Sequence, residues 1–397
     1  MGLNIVTDNK NELESHLIDV RRNLHAEPEL SNLEIKTSKK IKNWLKNAGI
    51  SVLDVPLKTG VIGEVRGQSD GPVVALRADI DALPINEEAV SPFQSNIPGI
   101  THACGHDFHT AVIIGAAYLL KNRQDRIKGT VRLVFQPAEE TGHGAKSIIA
   151  SGGLEDVEAI FGLHNDPLSE VGVFGVKDGV LTAGVDRFEI NIKGKGSHAA
   201  RPQEGIDPIV IAAEIISRLQ SIVSRQTKPS ESVVISVTQI RSGNTWNVIP
   251  ETAYLEGTVR TLKEEIRQTM PEKIERVIKG ITETYGAVGE LVWHAGPPSV
   301  NNDPEWTNFA SHIAETNGYK VVEIEPTSGG EDFSFYQQSI RGAFVNIGVA
   351  GEYGLHHPKY TLNEEAILPA AYYFADLAER ALNKIYADKL AKDYKPS

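Results

Sequence analysis

Apolar residues recur at helical spacing over residues 9 to 48. Leu13, Leu17, Val20 and Leu24 share one face, and Ile35, Ile41, Trp44 and Leu45 share another beyond Pro28. Two helices are therefore expected at the start of the chain. The texture then changes. Val73-Val74-Ala75-Leu76 and Thr130-Val131-Arg132-Leu133-Val134-Phe135 are short apolar runs, and the stretch from Thr110 to Leu120 between them reads as a buried helix. Strand, loop, helix and strand in that order predict an α/β sheet of parallel strands with helices on its faces.

From about Gly184 the pattern alternates. Arg187 to Lys193, residues 232 to 241, 252 to 260 and 288 to 293 read as strands, and 207 to 224 and 263 to 285 read as helices. This βαββαβ order suits a small two-layer α+β domain of ferredoxin-like type, so residues 185–295 are read as an insertion. Afterwards Phe344-Val345-Asn346-Ile347 is a buried strand, residues 364 to 386 form a closing helix, and the polar tail Lys389 to Ser397 is expected to fray. The expected architecture is an α/β domain made of residues 1–184 together with 296–397, interrupted by the insertion.

Composition narrows the class of ligand. A chain of 397 residues exceeds the size at which single cores stop growing, so about two domains are expected. With 41% hydrophobic and 23% charged residues it has the composition of a soluble globular protein. A net charge of -12 argues against a nucleic-acid or anionic-membrane partner, which needs clustered Lys and Arg, and favours small molecules. The single cysteine, Cys104, rules out an internal disulfide and stays available as a thiolate. The first 25 residues lack an apolar signal core, and no run approaches the ~18 apolar residues of a membrane span. Met1-Gly2-Leu3-Asn4-Ile5-Val6 lacks the Ser or Thr of a myristoylation motif, so the expected address is the cytoplasm.

Four separated segments carry candidate chemistry: His102-Ala-Cys104-Gly-His106-Asp107, Pro137-Ala-Glu139-Glu140, Gly162-Leu-His164 and Leu355-His356-His357-Pro358. Thiolate, imidazole and carboxylate are the groups that bind borderline-soft divalent cations, and such a set is hard to explain by packing alone. Each falls where an open α/β sheet gathers its ligands, after a strand or just before a helix. Taken singly, the first segment reads equally as a loop with backbone-capping histidines, and the Glu pair as solvated surface. Adjacent residues on an extended chain point in opposite directions, so one glutamate is free to bind metal while the other faces a substrate. The inserted domain carries its own polar set, Gly196-Ser197-His198-Ala199, Asn247 and Arg260, any one of which alone is ordinarily structural. Gly329-Gly330-Glu331-Asp332-Phe333 fails as a phosphate loop because no Lys-Ser/Thr follows.

Together these motifs resemble the M20 metallopeptidase family, specifically its amidohydrolase branch of aminoacylases, hippurate hydrolases and auxin-conjugate hydrolases. The resemblance spans nearly the whole chain and rests also on Arg21-Arg22-Asn-Leu-His25, Pro28-Glu29-Leu30-Ser31, Leu76 to Pro84, Gln136 to Glu140 and Gly194 to Pro202. It implies that Cys104, His106, Glu140, His164 and His356 bind one or two divalent ions, with Cys104 placed to bridge. Zn or Mn is favoured, and Co or Ni left open. Glu139 would be the general base, His198 would help hold the oxyanion, often across a dimer interface, and Asn247 and Arg260 would bind a substrate carboxylate. Gly330 would lie in a substrate-side loop. By the family's Leu-His-x-Pro pattern the ligand is His356 rather than His357. His109 and His143 lie close enough to support the ligands, and His25 belongs to a family motif with no derivable role. The implied protein is a metal-binding α/β catalytic domain with an inserted ferredoxin-like lid or dimerisation domain, a homodimer that cleaves the amide of N-acyl amino acids. Three rivals stand beside it: a dipeptidase or longer-chain peptidase of the same family, a non-catalytic metal-containing binding protein, and a chain in which Cys104 serves as nucleophile or redox sensor.

Overall fold

The computed structural model describes residues 9–393. The expectations for Met1 to Val6 and for the last four residues lie outside that span. The chain divides into two units. One runs to Gly179 and resumes at Asn301–Glu325 and from Asp332 onward, and the other comprises Val180–Val300 and Pro326–Glu331.

The first unit is built on an eight-stranded sheet in the order Ser51–Val52, Val61–Arg66, Lys128–Gln136, Ser69–Asp79, Val157–Asp166, Arg341–Gly348, Val173–Val176, Lys320–Glu323. Its four central strands are parallel, so their carboxyl ends share one edge. Pro72 to Asp79 are all buried, the continuous burial of a strand covered on both faces. The helix Lys10–His25 turns Leu13, Leu17, Val20 and Leu24 inward at one side of its cylinder. In Ile35–Asn47, Ile41 and Leu45 are buried, but Ile35, at the first position, is 58% exposed.

Where Lys10–His25, His106–Asn122 and the closing helix Ile367–Asp393 meet, Gly115 allows close approach. A Cβ there would lie 2.6 Å from Leu17 Cδ1 and 2.7 Å from Ala371 Cβ. The closing helix runs past the expected end, so Lys389 to Asp393 are helical rather than frayed, and Lys389 Nζ donates to Glu158 at 2.8 Å. Several elements of this unit go unread in the sequence, among them Val61–Arg66, Pro304–Thr316 and Lys320–Glu323.

The second unit is an antiparallel sheet in the order Val233–Ser242, Thr252–Thr261, Gly184–Lys193, Val288–Ala295. Phe188, Ile190 and Ile192 are buried and alternate with the exposed Arg187, Asn191 and Lys193. The buried set packs on Ile211, Ile215, Leu219 and Ile222 of Pro208–Gln226 and on Ile274 and Ile278 of Met270–Tyr285. The single helix expected over 263 to 285 is two, Glu264–Arg267 and Met270–Tyr285. Pro271 explains the break: with no N–H and a ring that clashes with the preceding turn, it fits the first turn of a helix and not the interior. Among the described residues no helix is long and apolar enough to cross a membrane.

Two glycines within helices, Gly115 and Gly280, should respond oppositely to alanine. Gly115→Ala forces three helices apart and should destabilise by about 1–3 kcal/mol. Gly280 is exposed, with nothing within 4 Å of an added Cβ; Gly280→Ala should stabilise by about 0.5–1 kcal/mol. Chemical denaturation midpoints of the two variants check both signs.

Candidate metal centre

The candidate donors of the first unit gather at the carboxyl edge of the parallel strands. His164 lies near the end of Val157–Asp166, opposite Asn346 of the neighbouring strand. The Glu139-Glu140 turn follows Lys128–Gln136, and His356 follows Arg341–Gly348. Cys104 and His106 flank Gly105, which caps His106–Asn122 with φ +81°. Glycine is required there twice over: the left-handed backbone disfavours a side chain, and a Cβ would strike the Asn165 amide and the Tyr360 hydroxyl.

Ligand atoms of Cys104, His106 and His164 lie within 4.8 Å of one another, and so do those of Cys104, Glu140 and His356. Cys104 belongs to both groups, and Glu139 forms a third with His106 and Glu140. The hydrogen bonds behind these groups decide which atoms face inward. His106 Nδ1–H donates to the Asp81 carbonyl at 2.9 Å, and its buried Nε2, 3.5 Å from Asp79 Oδ2, has no hydrogen bond among the described residues. His164 Nδ1–H donates to the Asn165 carbonyl at 2.8 Å, turning Nε2 toward Cys104 Sγ at 3.4 Å. Glu140 Oε1 is likewise buried without a hydrogen bond, 3.4 Å from His356 Nε2 and 3.9 Å from His106 Nε2. Two orphaned buried atoms beside a thiol and two imidazoles fit a divalent cation, because native structures leave few such atoms without a partner.

Asp81 ties the donor segments together. Its carboxylate accepts from Ser31 Oγ at 2.7 Å and from Glu140 N–H at 3.1 Å, while its carbonyl orients His106. Asn165 donates to the Cys104 carbonyl and accepts from Tyr360 Oη, both at 2.6 Å. These supports escaped the sequence reading. Asp79 and Asp81 offered one signal, a pair of acids at the end of an apolar strand.

His109 is also a support. Its Nε2 accepts from Asn165 N–H at 2.9 Å and its Nδ1–H donates to Asp79 at 2.6 Å, which uses both nitrogens. Burial outweighs Asp79 and keeps its imidazole low, at about 4. His25 bridges Asp107 at 2.8 Å and Glu87 at 3.0 Å, and these carboxylates overcome burial and raise its affinity for a proton. His143 caps Gly144–Ala150 and is in none of the donor groups. His357 stacks on Tyr353 at 4.4 Å, and its Nδ1 accepts from Lys359 N–H.

Glu139 and Glu140 do not lie on extended chain. They occupy a turn closed by Gly142 N–H on the Glu139 carbonyl at 2.7 Å, so both approach His106 instead of diverging.

The remaining candidates lie in the second unit and form two pairs. His198 faces Val248 in a short ladder, and Ala199 N–H donates to the Asn247 carbonyl at 3.0 Å. Arg260 sits opposite Val185 on the sheet, and a Cβ on Gly330 would lie 3.6 Å from its Nη1. Among the described residues the Arg260 guanidinium has no hydrogen bond or ion pair, and burial lowers its pKa against the pull of Asp186.

A parallel-strand unit with a donor set fit for a divalent cation at its carboxyl edge defines a metal-binding α/β architecture. The chain belongs to peptidase family M20/M25/M40, whose sequence profile it matches over residues 75–380. It is 53% identical over 372 residues to an N-acetylcysteine deacetylase of Bacillus subtilis (strain 168), covering 94% of this chain and 98% of that one. It is 40% identical over 383 residues to thermostable carboxypeptidase 2 of Saccharolobus solfataricus, covering 94% and 97%. The crystal structure of a dinuclear metal-binding peptidase of the M20 family from Bacillus subtilis superposes with a TM-score of 0.85 at 50% identity, covering 94% of this chain and 99% of that one.

Cation binding here should release protons. Burial, with Glu140 and Glu139, holds the Cys104 thiol well above its usual range. Burial opposes the charge on His106, but Asp79, Asp81 and Glu140 prevail and push it up to about 10. At pH 7 both are protonated, so filling the site should release about two protons per chain, and affinity should rise with pH. Calorimetric titration in buffers of differing ionisation enthalpy measures that number.

Proposed function

We propose that this chain hydrolyses the amide bond of N-acyl amino acids, releasing a carboxylate and a free amino acid. The observation that carries the reading is the cluster of Cys104, His106, His164, Glu140 and His356 beside a sixth group, Glu139, at one strand edge. The five would hold one or two divalent cations, with Cys104 shared between the two groups. Cysteine and histidine favour Zn²⁺, while the carboxylate suits Mn²⁺ as well. When bound, the cation supplies Lewis acidity toward the amide carbonyl and the attacking water.

In this reading Glu139 accepts the proton of the attacking water and returns it to the departing amine, so one carboxyl serves both steps. Arg260 receives the substrate carboxylate. Its unpaired guanidinium supports that role, because the planar fork meets both oxygens. Asn247 adds a donor, His198 steadies the oxyanion, and Gly330 lies in the substrate-side loop. Residues 185–295 would serve as lid and dimerisation element of a homodimer. A cytoplasmic location belongs to the same proposal. The name of the Bacillus relative, a deacetylase of N-acetylcysteine, supports small N-acyl substrates. The carboxypeptidase relative keeps peptide hydrolysis as the second reading.

Amine release from N-acetyl, N-benzoyl and indoleacetyl amino acids, measured beside free dipeptides with and without chelator, separates the two. Turnover of an acyl class, abolished by chelator, supports the proposal, and turnover of dipeptides alone replaces it with the peptidase. Glu139→Gln should keep its metal and lose about 10²–10⁴ in kcat; ample turnover by the metal-loaded variant would sink the base assignment. Arg260→Ala should lose roughly 10- to 100-fold in kcat/KM, the worth of a charged hydrogen bond. The loss should vanish on carboxamide-capped substrates, and an equal loss on both would remove Arg260 from carboxylate binding.

A further inference from the structure

The residue assigned as base rides on a backbone conformation that its neighbours must impose. Ala138, between Pro137 and Glu139, has φ +53°, the left-handed region that costs a residue with a side chain about 1–2 kcal/mol. Bonds within the segment close the turn: the Ala138 carbonyl accepts from Gly144 N–H at 3.1 Å and from Thr141 Oγ1 at 3.2 Å. None of these ties Ala138 to the rest of the unit. Its own N–H does, donating to Glu34 Oε1 at 2.8 Å across 104 residues of chain.

Glu34 is an unusual side chain to find there. It is 0% exposed, and it stands at the N-cap of Ile35–Asn47 without capping that helix through its side chain. The oxygen that holds Ala138 also accepts from Asn32 N–H at 2.9 Å, while among the described residues the buried Oε2 has no hydrogen-bond partner. Burial raises its pKa despite donors from its own backbone, from Ala138 and from the Thr59 side chain. A buried acid with one oxygen unsatisfied is a poor stabiliser of a fold, since its desolvation is only partly offset. Its bond across 104 residues points at the turn that carries Glu139.

We propose that Glu34 is a positioning residue for Glu139: its Oε1 locks Ala138 in the left-handed conformation and so aims the Glu139 carboxylate. The inference rests on the reading of Glu139 as the base. Misplacement of a reacting group by about 1 Å can cost on the order of 10²-fold in rate. Glu34→Ala should therefore lose about 10- to 100-fold in kcat, with KM and bound metal unchanged. Hydrogen exchange in a peptide covering residues 137–142 should accelerate.

Two further variants separate positioning from a general structural role. Glu34→Gln keeps the accepting carbonyl and should retain both kcat and slow exchange. Glycine enters φ +53° without strain, so Ala138→Gly placed in the Glu34→Ala background should recover most of kcat. The proposal is overturned if Glu34→Ala keeps full kcat or unchanged exchange, if Glu34→Gln is as slow as the alanine variant, or if the double variant recovers nothing. Should Glu34→Ala not fold, the Gln and double variants decide alone. Glu139→Gln, assayed in parallel, keeps the two readings apart. If it turns over normally the base reading fails, and if it is inactive while Glu34→Ala is not, only the positioning falls.

Discussion

Polar atoms that must be left unbonded for a ligand have to be held entirely from behind, and that constraint shapes the first unit. His106 Nε2 and Glu140 Oε1 are buried without hydrogen bonds. Each such atom costs about 1–3 kcal/mol unless something occupies it. Left to itself, either side chain would rotate toward a partner. Asp81 prevents both escapes at once, fixing His106 through its carbonyl and the Glu140 backbone through its carboxylate. Asp81 follows the end of Ser69–Asp79, whose register is set on both sides by parallel neighbours. Sheet register therefore passes through two hydrogen bonds to the donor atoms.

The same logic separates donors from supports among side chains of one type. His106 and His164 each use Nδ1–H on a backbone carbonyl and keep Nε2 for the site, whereas His109 has both nitrogens engaged. Carboxylates divide similarly. Asp107 is bonded by Arg21 and His25, and Asp79 by Arg77 and His109. Arg21 and Arg77 offset the charge on these two carboxylates. Glu140, by contrast, is paired with His356 and His106, both candidate donors themselves. A cation bound there would replace the His106 proton as the counter-charge of Glu140.

Much of this was legible in the chain because the signals are local. Continuous apolar runs marked Ser69–Asp79 and Lys128–Gln136, and alternation marked Gly184–Lys193. Thiol, imidazole and carboxylate are chemically distinctive enough to be picked out from four separated segments. What stayed hidden depends on contacts made only in the folded chain. Val61–Arg66 is a short strand interrupted by Gly63 and Glu64, and it owes its existence to antiparallel pairing with Lys128–Gln136. Asn165 looks like any asparagine after a strand, and Glu34 like any acid at a helix start. Pattern also misjudged the Glu139-Glu140 pair, because an extended continuation was assumed where Ala138 turns left-handed.

Backbone strain falls where the chemistry is. Among the described residues four with side chains have positive φ: Asn32, Ala138, Ala350 and His356. Ala138 precedes the assigned base, His356 is a candidate donor, and Asn32 shares with Ala138 the same oxygen of Glu34. Each of the three is pinned by its own N–H, His356 to the Ala103 carbonyl at 2.8 Å. Strained conformations persist only where surrounding structure over-determines them. For Ala138 and His356 the determinant is a single backbone N–H bonded to a segment far away in sequence. The His356 bond ties its loop to the Cys104 segment, and the Ala138 bond ties the Glu139 turn to the first helical hairpin. Loops that would otherwise vary independently are held in one arrangement, which a site assembled from four segments requires.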